Sequence, residues 1–244
     1  MIAATSESVI LLDLLNSNIV STINLTTSNQ RSQFRAHGGH SAAPVVHTQF
    51  INADMTDDLL MTVSGDGCLR VFEKYRSEDD AHLLTTSNLL ADQFIGASTG
   101  SKIYGVGPQT KSTSHSMFAG RHILKSATWD QNSGVLYVAG DLQFIRMWSA
   151  QVENCIQDIP IGVPFTQMIT TSICHSSASM VNETKQLDML VAGFSAGQVR
   201  VYSSTNSGSS SSSYLLGTHK EAVIGLQWHP KLANVVVSAE FVLF

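Results

Sequence analysis

Apolar and polar residues alternate in short runs along most of this chain, and three stretches repeat one another: LLMTVSGDGCLRVF (59–72), VLYVAGDLQFIRMW (135–148) and MLVAGFSAGQVRVY (189–202). Each is a β-branched and aliphatic run, a turn containing glycine, and a second run in which Arg70, Arg146 or Arg200 precedes an apolar residue and then an aromatic one. Period-two alternation broken by turn residues predicts two half-buried strands joined as a hairpin. Recurrence of such a unit along one chain predicts a β-propeller.

The same reading extends outward from the three hairpins. Strands are predicted at 1–6, 8–14 and 19–25, with a turn at Leu15-Asn16-Ser17-Asn18. A first complete unit takes 44–50, 59–63 and 68–72, with a polar turn at 52–58 and its outermost strand near 81–85. The second takes 124–129, 135–139, 144–148 and 153–159. Its turn, Asp130-Gln131-Asn132-Ser133-Gly134, supplies residues that tolerate positive φ. The third takes 167–174, 189–193, 198–202 and 214–217. A fourth begins at 217–230 and continues at 235–238. The matching arginines lie 76 and 54 residues apart, wider than the ~40–45 residues of one blade. Insertions at 92–121 and 176–186 account for the excess. The tract 203–213 holds eight serines and is expected to be a surface loop without ordered packing. The expected fold is all-β, an incomplete propeller of about three to four blades of four-stranded antiparallel sheets, forming one region over 1–244.

Composition narrows the function. With 244 residues, 43% of them hydrophobic, the chain can bury a sizeable core. A net charge of -5 without any Lys/Arg cluster argues against nucleic acid and against a polybasic membrane surface, and favours protein partners. Cys68, Cys155 and Cys174 are odd in number and far apart, which supports neither a disulfide framework nor a Cys-x-x-Cys metal site and fits a reducing compartment. The start has no basic and apolar segments of a signal peptide, and no apolar run approaches the ~18 residues of a membrane span. The sequons Asn24-Leu25-Thr26 and Asn182-Glu183-Thr184 are therefore read as accidental.

Several sharper motifs fail on context. Gly96-Ala97-Ser98-Thr99-Gly100 has the Gly-x-Ser-x-Gly form of a hydrolase elbow and would present Ser98 to His115 or His122. The elbow needs a strand before it and a helix after it, whereas Gly and Pro follow here, so a plain loop is expected. The segment 105–112 ends in Lys111-Ser112 but has Thr110 where a phosphate loop needs glycine. Among nine histidines, His37, His40, His219 and His229 have no Cys or carboxylate at ligand spacing. His40 and His219 are read as hydrogen-bonding links between blades and His229-Pro230 as a turn. The arginines Arg70, Arg146 and Arg200 are read as packing their stems and pairing with neighbours rather than lining a peptide-binding face. Phosphorylation of 92–121 or 203–213 would add acceptors for arginine, but length variation without function is the simpler reading of both. No catalytic, cofactor or metal-ligating residue is assigned.

Gly39-His40, Thr62, Ser64-Gly65-Asp66-Gly67 and Leu69-Arg70-Val71-Phe72 together resemble the WD-repeat pattern. The resemblance implies a buried hydrogen-bond chain through His40, Thr62 and Asp66. It is shortened because Phe72, which has no N–H, stands where WD repeats carry Trp. The ordered series from 8 to 238 is similar, more specifically, to the C-terminal WD-repeat region of the raptor family. DLLMTVSGDGCLRVFEKY (58–75), SATWDQNSGVLYVAGDLQFIRMW (126–148) and VENCIQDIPIG (152–162) carry this. The turn Gly140-Asp141-Leu142-Gln143 is expected to be one residue longer than the usual WD turn, and Gln157-Asp158-Ile159-Pro160 follows at that family's spacing. Departures are Ser195-Ala196-Gly197, which lacks the turn aspartate, and the non-repeat ending 240–244. The caspase-like and helical-repeat regions of that family are absent, so the chain is expected to be a fragment, incomplete at both ends.

The resemblance implies a non-catalytic scaffold or adaptor region of TOR complex 1, without cofactor. Its partners would be the TOR kinase, other components of that complex and substrate proteins, and it would act in the cytoplasm and at the lysosomal or vacuolar surface. Neither nucleic acid nor direct membrane insertion is expected. The alternatives are another WD adaptor, such as a ubiquitin-ligase substrate receptor, and a serine hydrolase centred on Ser98. The 157–160 stretch speaks against the first of these. An open arc of blades leaves apolar faces in water, each at ~25 cal/mol per Å2, against a typical stability of ~5–15 kcal/mol. Poor solubility or assembly through the ends is therefore expected.

Overall fold

The period-two runs become antiparallel strands in meanders. The structure, a computed structural model, describes residues 1–5, 8–25, 43–51, 59–76, 81–90, 124–161, 168–176, 189–203, 212–229, 232 and 235–242. Strands β1 (Ile2–Ala4), β2 (Ser8–Asp13) and β3 (Asn18–Asn24) form a first sheet. The second is β4 (Val45–Ile51), β5 (Leu59–Ser64), β6 (Cys68–Glu73) and β7 (His82–Asn88). The third is β8 (Leu124–Asp130), β9 (Val135–Gly140), β10 (Phe144–Ser149) and β11 (Asn154–Pro160). The fourth is β12 (Thr170–His175), β13 (Met189–Phe194), β14 (Gln198–Ser203) and β15 (Ser212–Thr218), and β16 (Val223–Trp228) pairs with β17 (Val236–Glu240). Four-stranded meanders in chain order are propeller blades, so the fold is all-β and of the partial-propeller kind. Contacts divide the chain into two compact units, Met1–Ile123 and Leu124–Phe244.

In the first unit, Val9, Leu11, Ile23 and Leu25 of the first sheet region pack on Leu60, Phe72 and Tyr75 of the second. Ser21 adds a buried bond from its hydroxyl to the Tyr75 carbonyl. In the second unit, the sheet β12–β15 is covered on both faces. Leu190, Ala192 and Tyr202 pack with Tyr137, Ile145 and Ile159, whereas Val191, Val199 and Val201 pack with Val223, Leu226 and Trp228. Burial on both faces explains why 189–194 reads as a nearly unbroken apolar run, since successive side chains point to opposite faces and each meets a neighbour. Full burial of such side chains stabilises by about 1.5–3 kcal/mol apiece.

Strand β12 also bonds sideways to both neighbours. The Ile173 and His175 amides donate to Ser126 Oγ and Thr128 Oγ1 of β8 at 3.1 and 3.4 Å, and the Trp228 indole donates to the Cys174 carbonyl at 3.3 Å. The register slips at matching places in the first pairings, whereas in the last pairings β6 and β10 slip after their arginine and β14 before its own. First pairings shift at Val45/His47, Leu124/Ser126, Thr170/Ser172 and Val223/Gly225, and last pairings at Val71/Phe72, Met147/Trp148 and Val199/Arg200. Such bulges raise the right-handed twist, so blade twist is built into the pairing. Pro160, opposite Phe144, closes β11 on the outer edge, where its missing N–H leaves no ladder bond unmade.

Two expectations are corrected. The turn 140–143 is not longer than its counterparts. Residues 141–143 separate β9 from β10, just as 65–67 and 195–197 separate the other hairpins, and Arg70, Arg146 and Arg200 pair with Thr62, Val138 and Ala192 at one common offset. What differs is the residue before the return strand. Gly67 (φ +86°) and Gly197 (φ +80°) are left-handed and donate to Ser64 and Phe194 carbonyls, while Gln143 stands at that place in the middle hairpin. A side chain at 197 would also run into the His219 and Glu221 carbonyl oxygens. The second correction concerns the serine tract. Ser203 ends β14, and Ser212 and Ser213 open β15, paired with Ser203 and Tyr202. Backbone pairing with β14 outweighs the weak strand preference of serine. The insertion 92–121 with Ser98, the 105–112 segment, His37, His40, His115, His122, 177–186 and 204–211 lie outside the described residues.

Candidate functional site

The hydroxyl of Thr62 sits in the middle of β5, buried, and its Oγ1 has no hydrogen-bond partner among the described residues. Asp66 is exposed at the hairpin turn, where its Oδ1 accepts from the Cys68 amide at 3.1 Å, the local bond of an Asx turn. Thr62 and Asp66 are therefore not joined to each other, and His40 lies outside the described residues.

The last sheet shows what a histidine and a hydroxyl do at equivalent places. Ser238 pairs with Leu226 as Thr62 pairs with Thr48, and His219 Nε2 lies 2.7 Å from Ser238 Oγ. The His219 amide donates to the Gly197 carbonyl at 2.9 Å, so one residue ties the fourth sheet's turn to the final sheet. Glu240 Oε2 lies 3.7 Å from His219 Nδ1 and accepts from the Glu221 and Lys220 amides at 3.2 and 2.8 Å. Those backbone bonds hold the Glu240 carboxyl below its ordinary range. Ser, His and Glu stand here in the order of a catalytic triad. Ser238, however, lies within a regular strand rather than on the strained turn that exposes a nucleophile. The arrangement fastens a turn.

A second buried polar group spans β8 and β12. His175 Nδ1 is 4.0 Å from Asp130 Oδ1, both side chains almost wholly buried, and the imidazole stacks on Tyr137 with centroids 5.2 Å apart. Asp130 also accepts from the Asn132 amide at 3.0 Å and from the Ser133 hydroxyl. Sequence reasoning took Asp130 only as the start of a turn and missed His175. The partnership joins two sheets, and no local spacing signals it.

The three arginines share a register but not a partner. Arg146 donates through Nε and Nη2 to Asp158 Oδ1 and Oδ2 at 2.9 and 3.0 Å, and its guanidinium lies over the Phe144 ring. Arg70 Nη1 donates to Ser64 Oγ at 3.2 Å and Arg200 Nη2 to Ser213 Oγ at 3.3 Å. Pairing with neighbours, the reading preferred above, is what the structure shows for all three. Burial pushes the Cys174 thiol up to about 12 and raises that of Cys68, which disfavours the thiolate at both. Burial likewise lowers the His47 pKa, outweighing the bond to Gln49 Oε1. Among the described residues, no group of three or more His, Cys, Asp or Glu is placed to hold a metal ion.

Comparison with known proteins places these features. No family model matches the chain. It is 26% identical over 195 residues, 80% of this chain, to the target of rapamycin complex 1 subunit mip1 of Schizosaccharomyces pombe. It is 23% identical over 189 residues, 77% of the chain, to regulatory-associated protein of TOR 1 of Arabidopsis thaliana. The chain spans only 12% of the length of each of these relatives. The crystal structure of Chaetomium thermophilum raptor matches 92% of the chain, and 16% of its own length, with a TM-score of 0.61 and 21% identity, which shows the shared fold. The resemblance to raptor read from 58–75, 126–148 and 152–162 is thus found again along most of the chain, in sequence and in fold.

Proposed function

We propose that this raptor-like chain is a non-catalytic scaffold region of a TOR complex 1, a platform of blades that helps bring the TOR kinase together with its other components and its substrates. The observation that carries the reading is the collinear similarity to a named subunit of that complex over 80% of the chain. The geometry supports it. The polar clusters at His219 and His175 join strands and sheets, and the three cysteines are buried, as suits a binding platform. The proposed location is the cytoplasm, with recruitment to the lysosomal or vacuolar surface.

The test is affinity capture of the epitope-tagged 244-residue chain from cells, with co-purifying proteins identified by mass spectrometry. Recovery of the TOR kinase is the expected result. Recovery of a ubiquitin ligase without the kinase would replace the proposal by the other WD adaptor reading, and recovery of neither would remove TOR complex 1 from consideration.

A further inference from the structure

Arg200 stands where Arg146 stands one sheet earlier, on the third strand at the same offset from the hairpin turn. Across from Arg146, the fourth strand offers Asp158, which takes both arms of the guanidinium. Across from Arg200 it offers Leu215. The Arg200 Nε is buried without a hydrogen-bond partner among the described residues, and no carboxylate there pairs with the group. A guanidinium is rigid, always charged and shaped for two parallel bonds to an anion, so one that meets only neutral hydroxyls among the described residues lacks the anion that its twin possesses.

The guanidinium reaches two neutral hydroxyls, the Tyr202 phenol and that of Ser213, whose Oγ lies 3.3 Å from Nη2. Ser213 is the last of the eight serines in 203–213, and it sits near the start of β15, which among the described residues pairs only with β14 and so forms the sheet's edge. Residues Tyr214, Leu215 and Leu216, just after it, are about half exposed at 52%, 50% and 53%. A half-buried, extended serine on a sheet edge beside an arginine without an anion is the arrangement that a phosphate ester completes.

We propose that Ser213 is a phosphorylation site whose phosphate docks on Arg200, supplying the anion that Asp158 supplies to Arg146. The donor is ATP, used by a separate serine kinase. The bond between Ser213 Oγ and the γ-phosphorus forms as the bond from that phosphorus to the bridging oxygen breaks; ADP leaves, and the hydroxyl proton passes to the kinase's base. The ester brings a charge of about −1.5 to −2 and three acceptor oxygens to the guanidinium. It thereby fastens the first turn-proximal residues of β15 onto β14.

The test is the full chain carrying phosphoserine at 213, installed during synthesis by genetic code expansion, beside the unmodified chain and the same pair with Arg200→Gln. The expected result is a Tm higher by about 2–4 °C on phosphorylation, absent in R200Q. No rise with Arg200 present, or an equal rise without it, would overturn docking. A phosphorus NMR titration of the phosphorylated chain needs no variant. The second ionisation falls below its ordinary value of about 6 in the folded chain and returns on unfolding in urea, whereas an unshifted ionisation contradicts the contact. Phosphopeptide mapping of the chain from its own cells tests the modification itself. Phosphate at 213 supports it, and phosphate confined to other serines, or none, sinks it.

Discussion

The sheets β8–β11 and β12–β15 share a meander, a bulge in the first pairing and an arginine in one register, yet the slip against the fourth strand follows Arg146 in one and precedes Arg200 in the other, and the arginines meet different partners. In the first, the Arg146 side chain is 4% exposed and clasps Asp158, itself 25% exposed, from the third strand to the fourth. In the second, Leu215 replaces the carboxylate. The neighbouring Tyr202 instead sends its hydroxyl to the Ile161 carbonyl at 3.0 Å, reaching from its own sheet to the end of the one before. Burial pushes that phenol up to about 12, so it remains a donor throughout the neutral range. The repeated hairpin thus dictates where the cation stands and leaves the choice of anion to the fourth strand.

The largest break in the comparison is Asp158→Ala. It strands a buried guanidinium, and the loss should be about 3 kcal/mol, read as a lower urea midpoint; a loss below about 1 kcal/mol would show that the clasp contributes no more than a surface pair. Next comes Gly197→Ala, which puts a side chain at a left-handed position against two carbonyl oxygens. It should cost about 2 kcal/mol and weaken hydrogen-exchange protection at His219, whose amide bonds to that glycine. Tyr202→Phe removes the hydroxyl that bonds the Ile161 carbonyl and should cost about 1 kcal/mol. If it costs nothing, the fourth sheet holds its neighbour by packing alone.

The comparison is sharpened by making the sheets alike. Leu215→Asp offers Arg200 the partner that Arg146 has, on an exposed position, and should gain about 0.5 kcal/mol. A destabilised L215D chain would mean that Arg200 cannot turn toward the fourth strand. The smallest effect concerns acid. Because the Glu240 carboxyl is lowered by backbone bonds in the folded chain, its contribution is fully present above the unfolded value and is lost as pH falls through the lower, folded value. Glu240→Gln should flatten that acid limb of the stability curve while leaving neutral pH nearly unchanged; an identical limb in both chains would assign the loss to other carboxylates.

The hairpins were legible in the sequence because alternation, glycine turns and the recurring arginine are local signals. The stretch Gln157-Asp158-Ile159-Pro160 was recognised by its spacing, but its physical content was not. Asp158 meets Arg146 only after the register slips between Met147 and Trp148, and a bulge leaves no mark on the sequence. The pairing of His175 with Asp130 was invisible for a related reason, since it depends on two inner strands lying side by side rather than on spacing along either one. The turn at 140–143 was misjudged because the absence of glycine at 143 mimics an extra residue when turns are aligned by their glycines. Of the hydrogen-bond series read from Gly39-His40, Thr62 and Asp66 are placed; His219 was read as a link between blades, but its partner Ser238, brought to it by the β16–β17 pairing, was not.

The fourth strands also differ as boundaries. Pro160 ends β11 with a residue that has no amide hydrogen to offer, so a foreign strand finds an interrupted template there. Strand β15 carries no proline and shows Tyr214, Leu215 and Leu216 to solvent at about half exposure. Uncapped, apolar edges of that sort seed intermolecular sheet growth. On storage or heating, the route to fibrillar aggregates should therefore run through β15, and a lysine or proline placed there is the gatekeeper that would close it.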